Sequence, residues 1–149
     1  MIIFVAADHK GYELKNVLID NLNKAGYKVV DAGDKQLDPN DDFPVFARRA
    51  ATQILSSDDQ EARGIFVCGS GQGMVMAANR IRGIRAGLGW SRESARSIRN
   101  DEDANVLALP SELYKQNPQL VFDIVEDFLR TPFANAARFI RRNGELDSM

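Results

Sequence analysis

A parallel β-sheet covered by helices on both faces, a three-layer α/β/α domain, is the fold this sequence predicts. Short β-type runs alternate with longer stretches of helical spacing along the whole chain, the mark of strand-helix-strand units. Several of those runs are continuously apolar, as strands buried on both faces are. With 149 residues, 44% of them apolar and 27% charged, the chain fits one globular domain spanning 1–149.

Residues 2–6, Ile-Ile-Phe-Val-Ala, form the first run. Residues 13–25 follow with Leu14, Val17, Leu18 and Leu22 at helical spacing, and Gly26 stands where a helix stops. Residues 27–30 read as a second strand, and 31–42 as a loop rich in Asp, Gly, Pro and Asn. Pro44 suits a first helical turn, after which Phe46, Ala50 and Ile54 mark a helix. The third strand, 64–68, runs into Gly69-Ser70-Gly71-Gln72-Gly73 and then a helix over 74–80. A fourth strand (84–88), a helix (91–99) and a fifth strand (105–109) come next. Helices over 118–129 and 133–142 close the chain, the last an addition to a Rossmann-like, five-stranded parallel core.

Composition narrows the function. Lys and Arg number 19 against 21 Asp and Glu, a balance that argues against nucleic acid as a partner. One cysteine forms no internal disulfide and no multi-thiolate zinc site, and one histidine forms no His-rich metal centre, so no metal is expected. The opening apolar run ends at Asp8, too soon for a signal core or a membrane span. The cytoplasm is the natural expectation, with no membrane partner.

In parallel sheets ligands bind beyond the carboxyl ends of the strands. The polar segments expected there are 8–11, 68–73 and 90–103. Gly69, Gly71 and Gly73 allow close approach of backbone N–H groups to a phosphate or an oxyanion. The spacing matches neither a Walker loop nor a dinucleotide fingerprint, and a plain tight turn is the simpler reading. Cys68 stands before a helix N-terminus, where a thiol is placed to serve as base or nucleophile. A buried structural cysteine is the alternative. Asp8 and His9 end the first strand and suit sugar hydroxyls or phosphate, while Asp8 also suits a helix cap. Arg138 and Arg142, four apart on a helix, suit a phosphate or simply a solvated face.

Taken in order, Ala7-Asp8-His9-Lys10-Gly11, Glu13-Leu14-Lys15, Asp42-Phe43-Pro44, Cys68-Gly69-Ser70-Gly71-Gln72-Gly73 and Ala77-Ala78-Asn79 resemble the ribose-5-phosphate isomerase type B family, which includes galactose-6-phosphate isomerase subunits. Gly83-Ile84-Arg85-Ala86, Ser94-Ala95-Arg96, 103–109 and Arg138-x-x-Arg141-Arg142 extend the resemblance over nearly the whole chain. The resemblance implies aldose-ketose isomerisation of a phosphorylated sugar, with no metal or organic cofactor. It implies Cys68 as the base moving a proton between C1 and C2 through an enediolate, since Met74 stands where some members carry a carboxylate. It further implies that Ser70 and the N–H groups of Gly69, Gly71, Gln72 and Gly73 hold the reacting oxygens. Asp8 and His9 would hold substrate, and Arg138 and Arg142 the phosphate. Members are dimers or tetramers whose sites combine two subunits, so a homodimer or homotetramer is expected.

Three positions depart from the family. Asp101 stands where it has a histidine that assists ring opening, and a carboxyl of ordinary acidity is a poor proton donor near pH 7. Glu112 occupies the place of an arginine that reaches phosphate, and Trp90 replaces smaller or polar residues. These changes point to an altered sugar, to a free sugar, or to a binding subunit with weak catalysis. A flavin or nucleotide module is a more distant alternative.

Overall fold

Five strands and seven helices alternate in the computed structural model, which describes residues 1–149. In order they are β1 (Ile2–Ala7), α1 (Tyr12–Lys24), β2 (Lys28–Asp31), α2 (Phe43–Leu55), β3 (Arg63–Cys68) and α3 (Gln72–Ala78). There follow β4 (Ala86–Leu88), α4 (Arg92–Asn100), β5 (Val106–Pro110), α5 (Ser111–Gln116), α6 (Pro118–Arg130) and α7 (Ala137–Asp147). All neighbouring strands run parallel, in the order β2-β1-β3-β5-β4.

The continuous apolar runs are explained by two cores, one on each face. Ile3, Val5, Ile65, Val67, Leu107 and Leu109 point to the side of α1, α4 and α6, where they meet Leu14, Leu18, Ala95, Ile124 and Phe128. Phe4, Ala6, Phe66, Cys68, Val106 and Ala108 point the other way, onto Phe46, Ala50 and Ile54 of α2 and Met74 and Ala78 of α3. Leu14 and Leu18 are each 1% exposed, so truncating either to Ala would cost about 2–5 kcal/mol.

One charge is buried within this packing. Lys15 of α1 is 0% exposed, and its Nζ lies 2.6 Å from Asp31 Oδ2 at the end of β2. The pair ties α1 to the edge strand, and the lysine stem fills the space above Gly33, where a Cβ would come within 2.8 Å of Lys15 Cδ.

Two expectations from the sequence need correction. Helix α5 was not foreseen, because six residues are too few to display a period. The last helix starts at Ala137 rather than 133. Before it the backbone is extended at Ala136 (φ −70°, ψ 141°) and left-handed at Asn135 (φ 52°). The Ala134 N–H donates to Asn100 O at 3.0 Å, which holds this segment against the end of α4 instead of letting it coil.

Candidate active site

The sheet register brings three strand ends together. Ala7 pairs with Val67, and Cys68 with Pro110, so the segments after β1, β3 and β5 share one carboxyl edge. Between β1 and β3 the strand order reverses, with α1 leaving β1 to one face and α3 leaving β3 to the other, the position at which parallel sheets bind ligands. The Asp8 N–H donates to Val67 O at 3.3 Å, which sets Asp8 beside Cys68. Side chains alternate along strands, so Asp8 follows Ala6, and Cys68 follows Phe66, to the α2/α3 side.

Asp8 is 7% exposed, and its Oδ1 accepts the Gly11 N–H at 3.0 Å. Burial pushes its carboxyl above the usual carboxylate range, opposed by the Gly11 N–H and by His9. Gly11 is required in this turn: a Cβ there would come within 2.6 Å of Val67 O. The turn therefore lies flat on β3. Next to it His9 Nδ1 lies 2.6 Å from Asp41 Oδ1, and the same oxygen accepts the His9 backbone N–H at 2.9 Å. Asp41 thus fixes the imidazole by two contacts and leaves Nε2 free of any protein partner. Asp41 was not singled out from the sequence. Its one signal is an acidic residue just ahead of the helix start at Phe43, indistinguishable from the other acidic loop residues.

Cys68 is 5% exposed, and its Sγ accepts the Gly71 N–H at 3.2 Å. The sulfur is therefore turned toward the glycines. Gly71 caps α3 in the left-handed region (φ 77°), and a Cβ on it would run into Leu88 Cδ1. Ser70 and Gln72 are exposed, and Ser70 Oγ accepts the Gln72 N–H at 3.4 Å. The N–H groups of Gly69, Ser70 and Gly73 have no acceptor within the protein. Gly73 packs beneath the Phe43 ring, which a Cβ would approach to 3.0 Å. Glu112 borders the same turn, its N–H donating to Gly69 O at 3.4 Å and its carboxylate 2.9 Å from Lys115 Nζ. Trp90 follows β4 at this edge and is 63% exposed.

Asp101, Arg138 and Arg142 are elsewhere. Asp101 ends α4 and precedes β5, whose first residue Val106 pairs with Gly64 near the start of β3. That is the amino edge of the sheet, opposite Cys68. Helix α7 docks there through buried Phe139 and Asn143, the latter donating to Asp101 O at 3.2 Å. Arg138 and Arg142 of α7 are both exposed. Asp101, Glu102 and Arg142 line a cavity of about 370 Å³. Burial and the Asp101 charge push the Glu102 carboxyl up, while Arg142 pulls it down. The chain thus gathers Asp8, His9, Cys68 and the glycine turn at one edge, and Asp101 with Arg142 at the other.

No group of three or more His, Cys, Asp or Glu side chains is arranged to hold a metal ion, and no helix is long and apolar enough to cross a membrane.

Known proteins share this fold. A family model described as Ribose/Galactose Isomerase matches residues 3–146. The ribose-5-phosphate isomerase B of Mycobacterium leprae is 36% identical over 142 residues, covering 95% of this chain and 85% of its own. A crystal structure of a ribose 5-phosphate isomerase from Thermotoga maritima superposes with a TM-score of 0.91 at 38% identity, covering 99% of this chain and 98% of that one. The isomerase B of Mycoplasma genitalium, solved with ribulose-5-phosphate bound, gives 0.89 at 36% identity, covering 99% and 94%.

Proposed function

The chain belongs to the ribose/galactose isomerase family, and from that premise we propose that it interconverts a phosphorylated aldose and its ketose with Cys68 as the base. The observation that carries this reading is the setting of the sulfur. Cys68 Sγ is turned to the glycine turn, one strand away from Asp8, with loop N–H groups unoccupied beside it. Deprotonated, Cys68 takes the C2 proton of the open-chain aldose, and the electron pair forms the C1=C2 bond of an enediolate. The negative oxygen is received by N–H groups of the Gly69–Gly73 turn, with Ser70 and Gln72 at its rim. Returning the proton to C1, with the O2 proton passing to O1, completes the ketose. A single such N–H donor is typically worth about 2.7–4 kcal/mol of barrier. Asp8 accepts from a substrate hydroxyl, and His9, fixed by Asp41, offers Nε2 to a substrate oxygen.

Arg138, Arg142 and Asp101 enter through a second subunit. They lie on the edge opposite Cys68, so the phosphate arginines of one protomer would complete the site of its partner in a homodimer or homotetramer. The substrate reading follows from Asp101 and Glu112. Both put a carboxylate where a ribose-5-phosphate enzyme of this family carries an imidazole or a guanidinium. We expect the preferred sugar phosphate to differ from ribose 5-phosphate, favouring one with a larger open-chain fraction.

A panel of aldose phosphates tests both levels, with deuterium exchange at C2 as the readout. Turnover of a sugar phosphate that Cys68→Ala reduces by at least about 10³-fold, while substrate still binds, is expected. Full activity in Cys68→Ala would remove the thiol from the mechanism. Ribose 5-phosphate emerging as the best substrate would reject the altered choice.

A further inference from the structure

The turn between β1 and α1 carries a residue that the mechanism above leaves unused. Lys10 lies between His9 and Gly11, at the centre of a turn closed by the Gly11 N–H on both Asp8 O (3.0 Å) and Asp8 Oδ1 (3.0 Å). Because Gly11 is pressed against Val67, the Lys10 backbone has little freedom. Its stem runs across to Gly69. A Cβ built on Gly69 would meet Lys10 Cδ at 2.9 Å, Cβ at 3.8 Å and Cγ at 4.0 Å. Three methylene-bearing atoms thus cover the first glycine of the catalytic turn, while the residue as a whole remains exposed. A long cationic side chain laid on the surface in this way keeps its charged head in water.

The charges around Gly69 show what that ammonium is free to do. His9 is engaged with Asp41, and Lys115 with Glu112, whereas Lys10 has no carboxylate partner. Three carboxylates, Asp8, Asp41 and Glu112, border these turns, and only Asp41 and Glu112 are paired with a cation, which leaves a residual negative charge that disfavours an anion. Arg138 and Arg142 are at the opposite sheet edge and cannot offset it within the protomer.

We propose that Lys10 is a substrate-binding cation, reaching over Gly69 to the phosphate of the sugar from the protomer that supplies Cys68. It meets the arginines of the second subunit across that group. The assignment rests on the isomerase reading and adds to it a determinant of charge selectivity on the near side of the site.

Lys10→Met keeps the stem over Gly69 and removes only the charge. With the best aldose phosphate, KM should rise about tenfold while kcat stays within about twofold, and Lys10→Arg should restore KM to within about threefold. Inorganic phosphate, titrated calorimetrically against the same proteins, should bind Lys10→Met about tenfold more weakly, and added salt should matter less to it. Wild-type KM and phosphate affinity in a folded Lys10→Met protein would overturn the assignment. Lys10→Gln serves as a second neutral variant should Lys10→Met fold poorly. Absence of turnover in the wild type would count against the isomerase reading alone, since phosphate affinity reports on Lys10 without catalysis.

Discussion

Asp8 shows what burial does to a single carboxyl. A carboxyl held at 7% exposure, with one N–H donor on it, is more easily protonated than in the unfolded chain, and burial is the main cause. The native state therefore binds more protons than the unfolded state in the window above the ordinary carboxylate pKa of about 4. Stability associated with Asp8 is full below that value and is lost as pH rises through the raised native pKa. Asp8→Asn keeps an acceptor for Gly11 and carries no charge. It should raise Tm at pH 7, with the gain shrinking toward pH 3, and lower kcat/KM. A thermal series from pH 3 to 8 checks the first effect, and an unchanged Tm difference across it would contradict the assignment of burial as the cause. Asp41 makes a complementary point. Its two contacts with His9 depend on a loop fold that brings residues 32 positions apart together, a closeness that spacing along one chain does not reveal.

Among the elements, what was legible in the sequence follows from how periodicity works. The strands of the two-sided core show as unbroken apolar runs, and α1 and α6 as stripes, because each buries a face. Helix α5 shows nothing, since only Ser111 of its residues is buried. The Cys68 to Gly73 turn was readable because glycine is the direct demand of its backbone, at φ 77° for Gly71. The placement of 101–103 was not readable. The expected polar segment 90–103 begins at the carboxyl edge with Trp90, but α4 carries its end back across the sheet. The Lys15–Asp31 pair joins α1 to β2, and its two members differ in exposure, 0% against 25%. Asp31→Ala leaves a sealed ammonium alone and should cost about 3–5 kcal/mol, whereas Lys15→Met leaves a carboxylate that water reaches and should cost less than about 1.5 kcal/mol. Denaturant titrations of the two variants would measure the asymmetry. Equal losses would mean that the pair acts through packing alone.

For the whole molecule, the separation of Asp8 and Cys68 from Arg138 and Arg142 sets the prediction. If opposite edges of two subunits meet, Cys68→Ala and the double variant Arg138→Ala/Arg142→Ala should each be inactive or nearly so. Refolded together in equal amounts, they should regain about a quarter of wild-type activity, since random pairing makes half the dimers mixed and gives each mixed dimer one intact site. No recovery in a mixture that demonstrably exchanges subunits would place the whole site within one chain.

If the site is completed by a second copy in this way, the catalyst would sense its own abundance. Below the concentration at which copies associate, each folded chain would carry both halves and complete neither, so specific activity would fall on dilution although nothing had unfolded.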